Sequence, residues 1–226
     1  MVDQISAAVL FCNTKHLIPI SIGSFREFYP NMKLLVVDNS DDGICTPALK
    51  KYIQDDPHAI IFKTEKNLGH GIGADLCIRK SLGKYVYIFE SDVAMLKPGL
   101  IETMLELMNS EVYGIGRLDL CTYKTTDFVD ENYTGKKMMR LWIFAALMNK
   151  HQYLKFPGFD SDKGTNANPV MAAMRKIEDS GCSKSLLVHF DTEQYVRHLY
   201  GGTRLKIGIP DLPDYKNIEG KYDPVV

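Results

Sequence analysis

No stretch of this 226-residue chain approaches the roughly 18 consecutive apolar residues that a membrane-spanning helix needs; the longest candidate is Leu141–Met148. The first residues, Met-Val-Asp-Gln-Ile-Ser, lack the basic start of a secretory signal, so a cytoplasmic protein is expected. There is no CxxC pair and no Cys/His metal spacing. Cys12, Cys45, Cys77, Cys121 and Cys182 are scattered and odd in number, which reads as reduced cysteines packed as small apolar residues. Neither charge dominates: 27 basic against 28 acidic residues leave a net charge of −1. That balance argues against a surface built mainly to grip nucleic acid. Gly69, Gly71 and Gly73 alternate, but they form neither GxGxxG nor GxxxxGK[ST], which argues against dinucleotide and P-loop chemistry. They either admit an anionic ligand to backbone amides or allow close helix–sheet packing.

What is present is an ordinary globular composition, 45% hydrophobic and 24% charged, enough for one substantial domain. Ile5–Phe11 is a continuous apolar run that fits a strand covered on both faces, and it ends in Cys12-Asn13-Thr14. A helical pattern follows over Leu17–Phe28. Lys33–Val37 is a second buried strand running into Asp38-Asn39-Ser40, and a helix from about Pro47 has Thr46 as its expected N-cap. Ala59–Phe62 is a third strand, and the loop Glu65–Gly73 opens a helix to about Leu82. Strand and helix therefore alternate with short connections over about 95 residues, which predicts a mostly parallel three-layer α/β/α sheet. Ligands of such sheets sit beyond the carboxyl ends of the strands.

The fourth strand, Tyr85-Val-Tyr-Ile-Phe-Glu90-Ser91-Asp92-Val93, ends in two carboxylates one residue apart. Alternate side chains of a strand share a face, so Glu90 and Asp92 point the same way. Like charges that close call for a cation between them, and oxygen ligands suit Mg²⁺ or Mn²⁺; a plain polar turn is the alternative. Asn13, Asp38 and the Glu90–Asp92 pair all fall at carboxyl ends of strands and converge on one edge.

Val36–Gly43, then Asn67-Leu68-Gly69, then Gly83–Asp92, resemble in order and spacing the family 2 glycosyltransferases of the GT-A fold. Ala145–Met148 through Gly158-Phe159-Asp160 is similar to that family's acceptor-side strand and Gly-Phe-Asp element. Asp191-Thr192-Glu193 with Arg197 and Gly201-Gly202 is similar to its base-bearing helix. The wording is nearest to rhamnosyltransferase-like members. The resemblance covers about residues 5–205. It implies a single GT-A domain with a nucleotide-sugar-binding half to about residue 95, an acceptor half to about 209 and a tail over 210–226. It also implies a nucleotide-sugar donor (UDP-, GDP- or TDP-linked), a divalent cation, and inversion at the anomeric carbon. Asp92 is the expected metal ligand, with Glu90 binding directly or through water. Cys12, Asn13, Asp38, Asn39, Asn67, Gly69, Glu90 and Ser91 are the expected donor-binding residues. Asp191 is the expected base, at the start of a helix over Thr192–Tyr200 whose dipole would favour its ionised form, and Glu193 is second. The acceptor is open: a glycan, a protein, a small molecule or a modified nucleic acid.

The sequence departs from that pattern in places. Glu90 stands for the usual Asp, and Asp75 for a frequent Asn. No histidine follows His198, so the family's late metal-ligand histidine finds no match, and His189 reads as a packed or solvated strand residue. An Arg197–Glu193 ion pair is expected at i,i+4 spacing. Lys136, Lys137 and Arg140 read as a solvated face and Trp142 as core. The strand Val112–Asp119 leads into a polar, aromatic loop over Thr122–Thr134 read as part of a lid. A nucleotidyltransferase of similar fold, or a non-catalytic sugar-nucleotide or carbohydrate-binding module, remains the alternative. Against the former, Cys12-Asn13-Thr14-Lys15-His16 contains no glycine to cradle a triphosphate.

Overall fold

The computed structural model describes residues 4–122, 137–159 and 170–199. The expected loop over Thr122–Thr134 falls almost wholly outside these residues. Lys136, Asp160, Tyr200, Gly201-Gly202 and the tail over 210–226 lie outside them too.

The first strand, β1 (Ile5–Phe11), is buried along its whole length. Its odd-numbered residues Ile5, Ala7, Val9 and Phe11 join one hydrophobic cluster, and Ala8 and Leu10 join the other. An apolar residue at every position is what a strand sandwiched between two layers requires. The next elements are α1 (Ser24–Phe28), β2 (Leu34–Asp38), α2 (Thr46–Tyr52), β3 (Ala59–Lys63), α3 (His70–Lys80) and β4 (Tyr85–Glu90). Then come β5 (Val93–Met95), α4 (Leu100–Leu107), β6 (Gly114–Gly116), β7 (Leu118–Thr122), β8 (Lys137–Leu141) and β9 (Ala145–Asn149). The described chain closes with α5 (Lys150–Tyr153), α6 (Met171–Asp179), α7 (Ser183–Leu186), β10 (Leu187–His189) and β11 (Val196–His198).

Seven strands form the central sheet in the order β10-β6-β9-β4-β1-β2-β3. Only β9 runs antiparallel to its neighbours β4 and β6. Residues of α1, α2 and α4 pack in one cluster, and those of α3, α5, α6 and α7 in the other, giving the three expected layers of a GT-A α/β fold. Two short antiparallel ribbons lie outside the sheet, β5–β11 and β7–β8. No described helix is long and apolar enough to cross a membrane.

Several local expectations change. The helical pattern over Leu17–Phe28 is a 3-10 turn, a π-helical segment at Pro19–Gly23 and then α1. This irregularity lets the Ser24 hydroxyl accept the Met95 backbone N–H at 2.9 Å and anchor β5. Thr46 is the first residue of α2 rather than its cap, and its hydroxyl donates to Asp38. The strand over Tyr85–Val93 stops at Glu90 and resumes as β5, with Ser91 and Asp92 in the turn between. The strand over Val112–Asp119 breaks at Arg117 into β6 and β7. The helix expected over Thr192–Tyr200 is one 3-10 turn, Thr192–Gln194, followed by β11, so the dipole argument for Asp191 falls.

Gly83 joins α3 to β4 where a Cβ would lie 2.5 Å from the Ser6 backbone nitrogen and 2.6 Å from the Tyr85 carbonyl oxygen. Both neighbours are backbone of the two central strands and cannot give way cheaply. Gly83→Ala is expected to destabilise the fold by about 1–3 kcal/mol, read as a lower midpoint in denaturant unfolding.

Candidate active site

The parallel strands bring their carboxyl ends to one edge, and the start of antiparallel β9 arrives there as well. On the β1–β2 side the backbone is held by polar side chains. Asn13 takes a left-handed conformation (φ 57°), and its N–H donates to the Ser40 hydroxyl at 3.0 Å. Asp38 is wholly buried and accepts from the Ser40 N–H at 3.0 Å and from the Thr46 hydroxyl. The structure therefore gives Asp38 a supporting place under the Asn13–Ser40 turn rather than an open carboxylate face. Asn39, also buried, accepts from the Leu68 N–H at 3.0 Å and donates to the Gly69 carbonyl at 2.9 Å. Asn67 accepts from the Gly69 N–H at 2.8 Å and donates to the Cys12 sulfur at 3.4 Å. Gly69 has φ 87°, a conformation glycine adopts without strain, and it turns the chain into α3. Burial, and then the charges of Cys45, Asp41 and Asp38, push the Cys12 thiol up, so it stays protonated.

At the centre of the edge stand the two carboxylates. The Thr14 hydroxyl donates to the Ser91 hydroxyl at 3.1 Å, which ties the turn between Glu90 and Asp92 to the end of β1. The structure adds a residue that the sequence reading passed over: His198, at the end of β11. Pairing of β11 with β5 sets His198 opposite Val93, and the Leu199 N–H donates to the Asp92 carbonyl at 2.9 Å. His198 Nε2 lies 3.2 Å from Asp92 Oδ1 and 3.5 Å from Glu90 Oε2. Its ring stacks on Phe144 with centroids 4.6 Å apart and planes 6° from parallel. On the other side His70 Nε2 lies 3.1 Å from Glu90 Oε1.

Glu90, Asp92 and His198 each offer an atom within 4.8 Å of the others, the one group of three or more metal-ligating side chains found among the described residues. Adjacent ligands of an octahedral ion lie about 3 Å apart, given metal–ligand distances near 2.1 Å. Two carboxylates and an imidazole at 3.2 and 3.5 Å are therefore spaced to close on one divalent cation. His198 itself brings an imidazole to the two carboxylates, so no histidine beyond position 198 is needed for such a trio. His189 instead accepts the Leu118 N–H through Nδ1 at 3.1 Å, so its place is structural. The three-residue segment Val196–His198 carries no sequence signal of its pairing with Val93–Met95.

Asp191 and Glu193 stand beyond β10, on the same edge but three strand positions from β4, on the order of 14 Å along the sheet. Asp191 is exposed and caps the 3-10 turn, accepting from the Glu193 N–H and Gln194 Nε2, both at 3.2 Å. Glu193 pairs with Arg117, not with the expected Arg197. Arg140 pairs with Asp119 and packs 4.1 Å over the Trp142 ring, whose edge meets Phe144. Trp142 is thus part of the wall behind His198, with one face already covered by a guanidinium. Asp75 is held by Arg79 and by the Tyr153 hydroxyl at 2.6 Å.

Burial alone would lower the His198 imidazole, but hydrogen bonds to Asp92 and Glu90, and their charges, raise it to about 9. Burial alone would raise the Glu90 carboxyl, but hydrogen bonds from His198 and His70, with their charges, hold it at about 2. In metal-free protein the His198 contribution is full below its ordinary value of 6.5 and is lost as pH rises through about 9. The Glu90 contribution is full above 4.5 and is lost as pH falls toward 2. We expect a stability plateau between these limits, and a loss on the order of 2 kcal/mol from pH 6.5 to 9. His198→Gln should flatten that alkaline limb in chelator-treated protein; an unchanged limb would remove His198 as its source.

The sequence profile of glycosyl transferase family 2 matches residues 6–165, most of the chain. Over 99 residues, 44% of the chain, it is 29% identical to an uncharacterised glycosyltransferase of Methanocaldococcus jannaschii. That match spans 32% of the archaeal protein, so the chain corresponds to about a third of this relative. Among solved structures it is similar to the mannosyltransferase PcManGT of Pyrobaculum calidifontis in complex with GDP-Man and Mn²⁺. There the TM-score is 0.58 and the identity 15%, over 83% of this chain and 55% of that one. It is also similar to residues 1–349 of S. aureus TarS in complex with UDP-GlcNAc, with TM-score 0.52 and 14% identity over 85% of this chain and 57% of that one. A putative glucose-1-phosphate thymidylyltransferase of Bacillus anthracis gives TM-score 0.53 and 9% identity, over 90% of this chain and 92% of that one. At these identities the solved structures establish a shared fold.

Proposed function

The chain belongs to glycosyl transferase family 2, and from that premise we propose that it is a metal-dependent, inverting glycosyltransferase moving a sugar from a nucleotide-sugar donor to an acceptor hydroxyl. The observation that carries the proposal is the Glu90–Asp92–His198 cluster at the carboxyl edge of the sheet. Asp92, Glu90 and His198 would hold Mn²⁺ or Mg²⁺, which supplies charge neutralisation for the departing diphosphate. Ser91, tied to Thr14, keeps both carboxylates on one side of the turn. Cys12, Asn13, Asn67 and Gly69 form the donor wall; Asn39 and Asp38 support it from beneath. GDP-Man and UDP-GlcNAc, bound by PcManGT and TarS, are the first donors to try, with TDP-sugars beside them.

Inversion needs one base to take the acceptor proton as the hydroxyl attacks opposite the leaving group. We assign it to Asp191, which is exposed on the acceptor side of the edge. Glu193 is the second candidate, because Arg117 already engages its carboxylate. The nucleotidyltransferase alternative shares the fold, but β1 ends in Asn13 and Thr14 where glycines would be needed around a triphosphate.

A panel of UDP-, GDP- and TDP-sugars is expected to give Mn²⁺-dependent release of nucleoside diphosphate. Pyrophosphate release from a nucleoside triphosphate and a sugar phosphate would favour the alternative instead, and absence of both binding and hydrolysis for every donor would sink the proposal. Asp92→Ala should abolish transfer and weaken nucleotide binding in Mn²⁺. Asp191→Asn should keep donor affinity and lose about 10²–10⁴-fold in turnover; retained turnover removes Asp191 as the base.

A further inference from the structure

We propose that His70 is the donor-diphosphate contact of this site, its Nε2–H donating to a non-bridging oxygen of the leaving phosphate. The inference rests on the nucleotide-sugar reading above. His70 is the first residue of α3, immediately after Gly69. Its backbone is fixed, because Asn39 holds both the Leu68 N–H and the Gly69 carbonyl, and Asn67 holds the Gly69 N–H. Its side chain is 48% exposed and lies 3.1 Å from Glu90. Glu90 is thus bridged: Oε1 faces His70 on the donor-loop side and Oε2 faces His198 on the β11 side. His198 completes the cation-spaced trio and His70 stands outside it.

Charge balance says what His70 is for. Two carboxylates cancel one divalent cation, so the trio and its ion bring little net positive charge to a diphosphate. Among the donor-side residues Cys12, Asn13, Asp38, Asn39, Asn67 and Gly69 none is basic. His70 is the imidazole placed between the donor loop and Glu90, where it adds a donor toward the phosphate oxygens. Were Glu90 engaged by a cation, the His70 Nε2–H would exchange that carboxylate for a phosphate oxygen. The first turn of α3 contains no acid to repel the phosphate, and Gly71 adds no side chain in the way.

The test compares nucleotides that differ by one phosphate. GDP, GMP, UDP, UMP, TDP and TMP are titrated calorimetrically in Mn²⁺ against the full chain, His70→Ala and His70→Gln. Wild-type protein is expected to prefer one diphosphate over its monophosphate. His70→Ala should weaken that diphosphate at least about tenfold and the monophosphate less than about twofold. His70→Gln, which offers an amide N–H near the Nε2 position, should recover most of the loss. Equal losses for the two nucleotides, or no loss, overturn the His70 assignment and leave the glycosyltransferase reading standing. Wild-type protein that binds none of the three diphosphates overturns both.

Discussion

Two carboxylates are held side by side at the end of the most central strand, with 23% and 10% of their side-chain surfaces exposed. That arrangement is unfavourable unless positive charge meets it. Much of the crevice can be understood from this constraint. It explains why β11 comes back across the sheet edge to pair with β5, since that pairing is what delivers His198. It explains why Phe144, at the start of the antiparallel strand, presents a flat face to the imidazole. On the other side His70, the first residue of α3, meets Glu90 at 3.1 Å. In metal-free protein the raised His198 imidazole meets the charge in its protonated form; a bound cation would displace that proton and meet it instead.

The central sheet was readable from sequence because burial on both faces leaves no polar position to confuse the period. Ile5–Phe11 and Tyr85–Phe89 are apolar at nearly every residue, and the alternation of their side chains between the two clusters follows from pleating alone. Glu90 and Asp92 were readable for the same reason: acids at the end of such a run stand out. His198 was not. Its position depends on a three-residue ribbon that pairs residues around 93 and 198, and nothing in a short Val-Arg-His segment encodes a partner so distant. Asp191 was misread in its setting for a related reason. Asp-Thr-Glu-Gln has the look of a helix start, yet the β11–β5 ladder takes the chain after a single 3-10 turn.

The donor side shows a second limit of strand-end reasoning. A polar residue at a carboxyl end can face the ligand or hold the backbone that does, and sequence does not distinguish the two. Asp38 and Asn39 are buried and their hydrogen bonds go to Ser40, Thr46, Leu68 and Gly69. Buried polar groups must be satisfied internally, so their position at the crevice floor makes them supports. Asn13 and Gly69, with positive φ, carry the half-buried backbone that these hydrogen bonds hold in place.

Glu at position 90, where aspartate is usual in the resembling family, then acquires a reason. An aspartate would end one carbon–carbon bond sooner, about 1.5 Å. Glu90 ends the strand itself, whereas Asp92 sits in the turn and lies closer to His198. From the strand end the longer arm spans two imidazoles on opposite sides, at 3.1 and 3.5 Å, with one oxygen for each. A shorter arm could satisfy His198 or His70 but would leave the other without that partner. The extra methylene therefore couples the donor-loop side of the crevice to the β11 side through a single carboxylate. Asp92, in the turn, faces one imidazole, and Glu90, at the strand end, faces both.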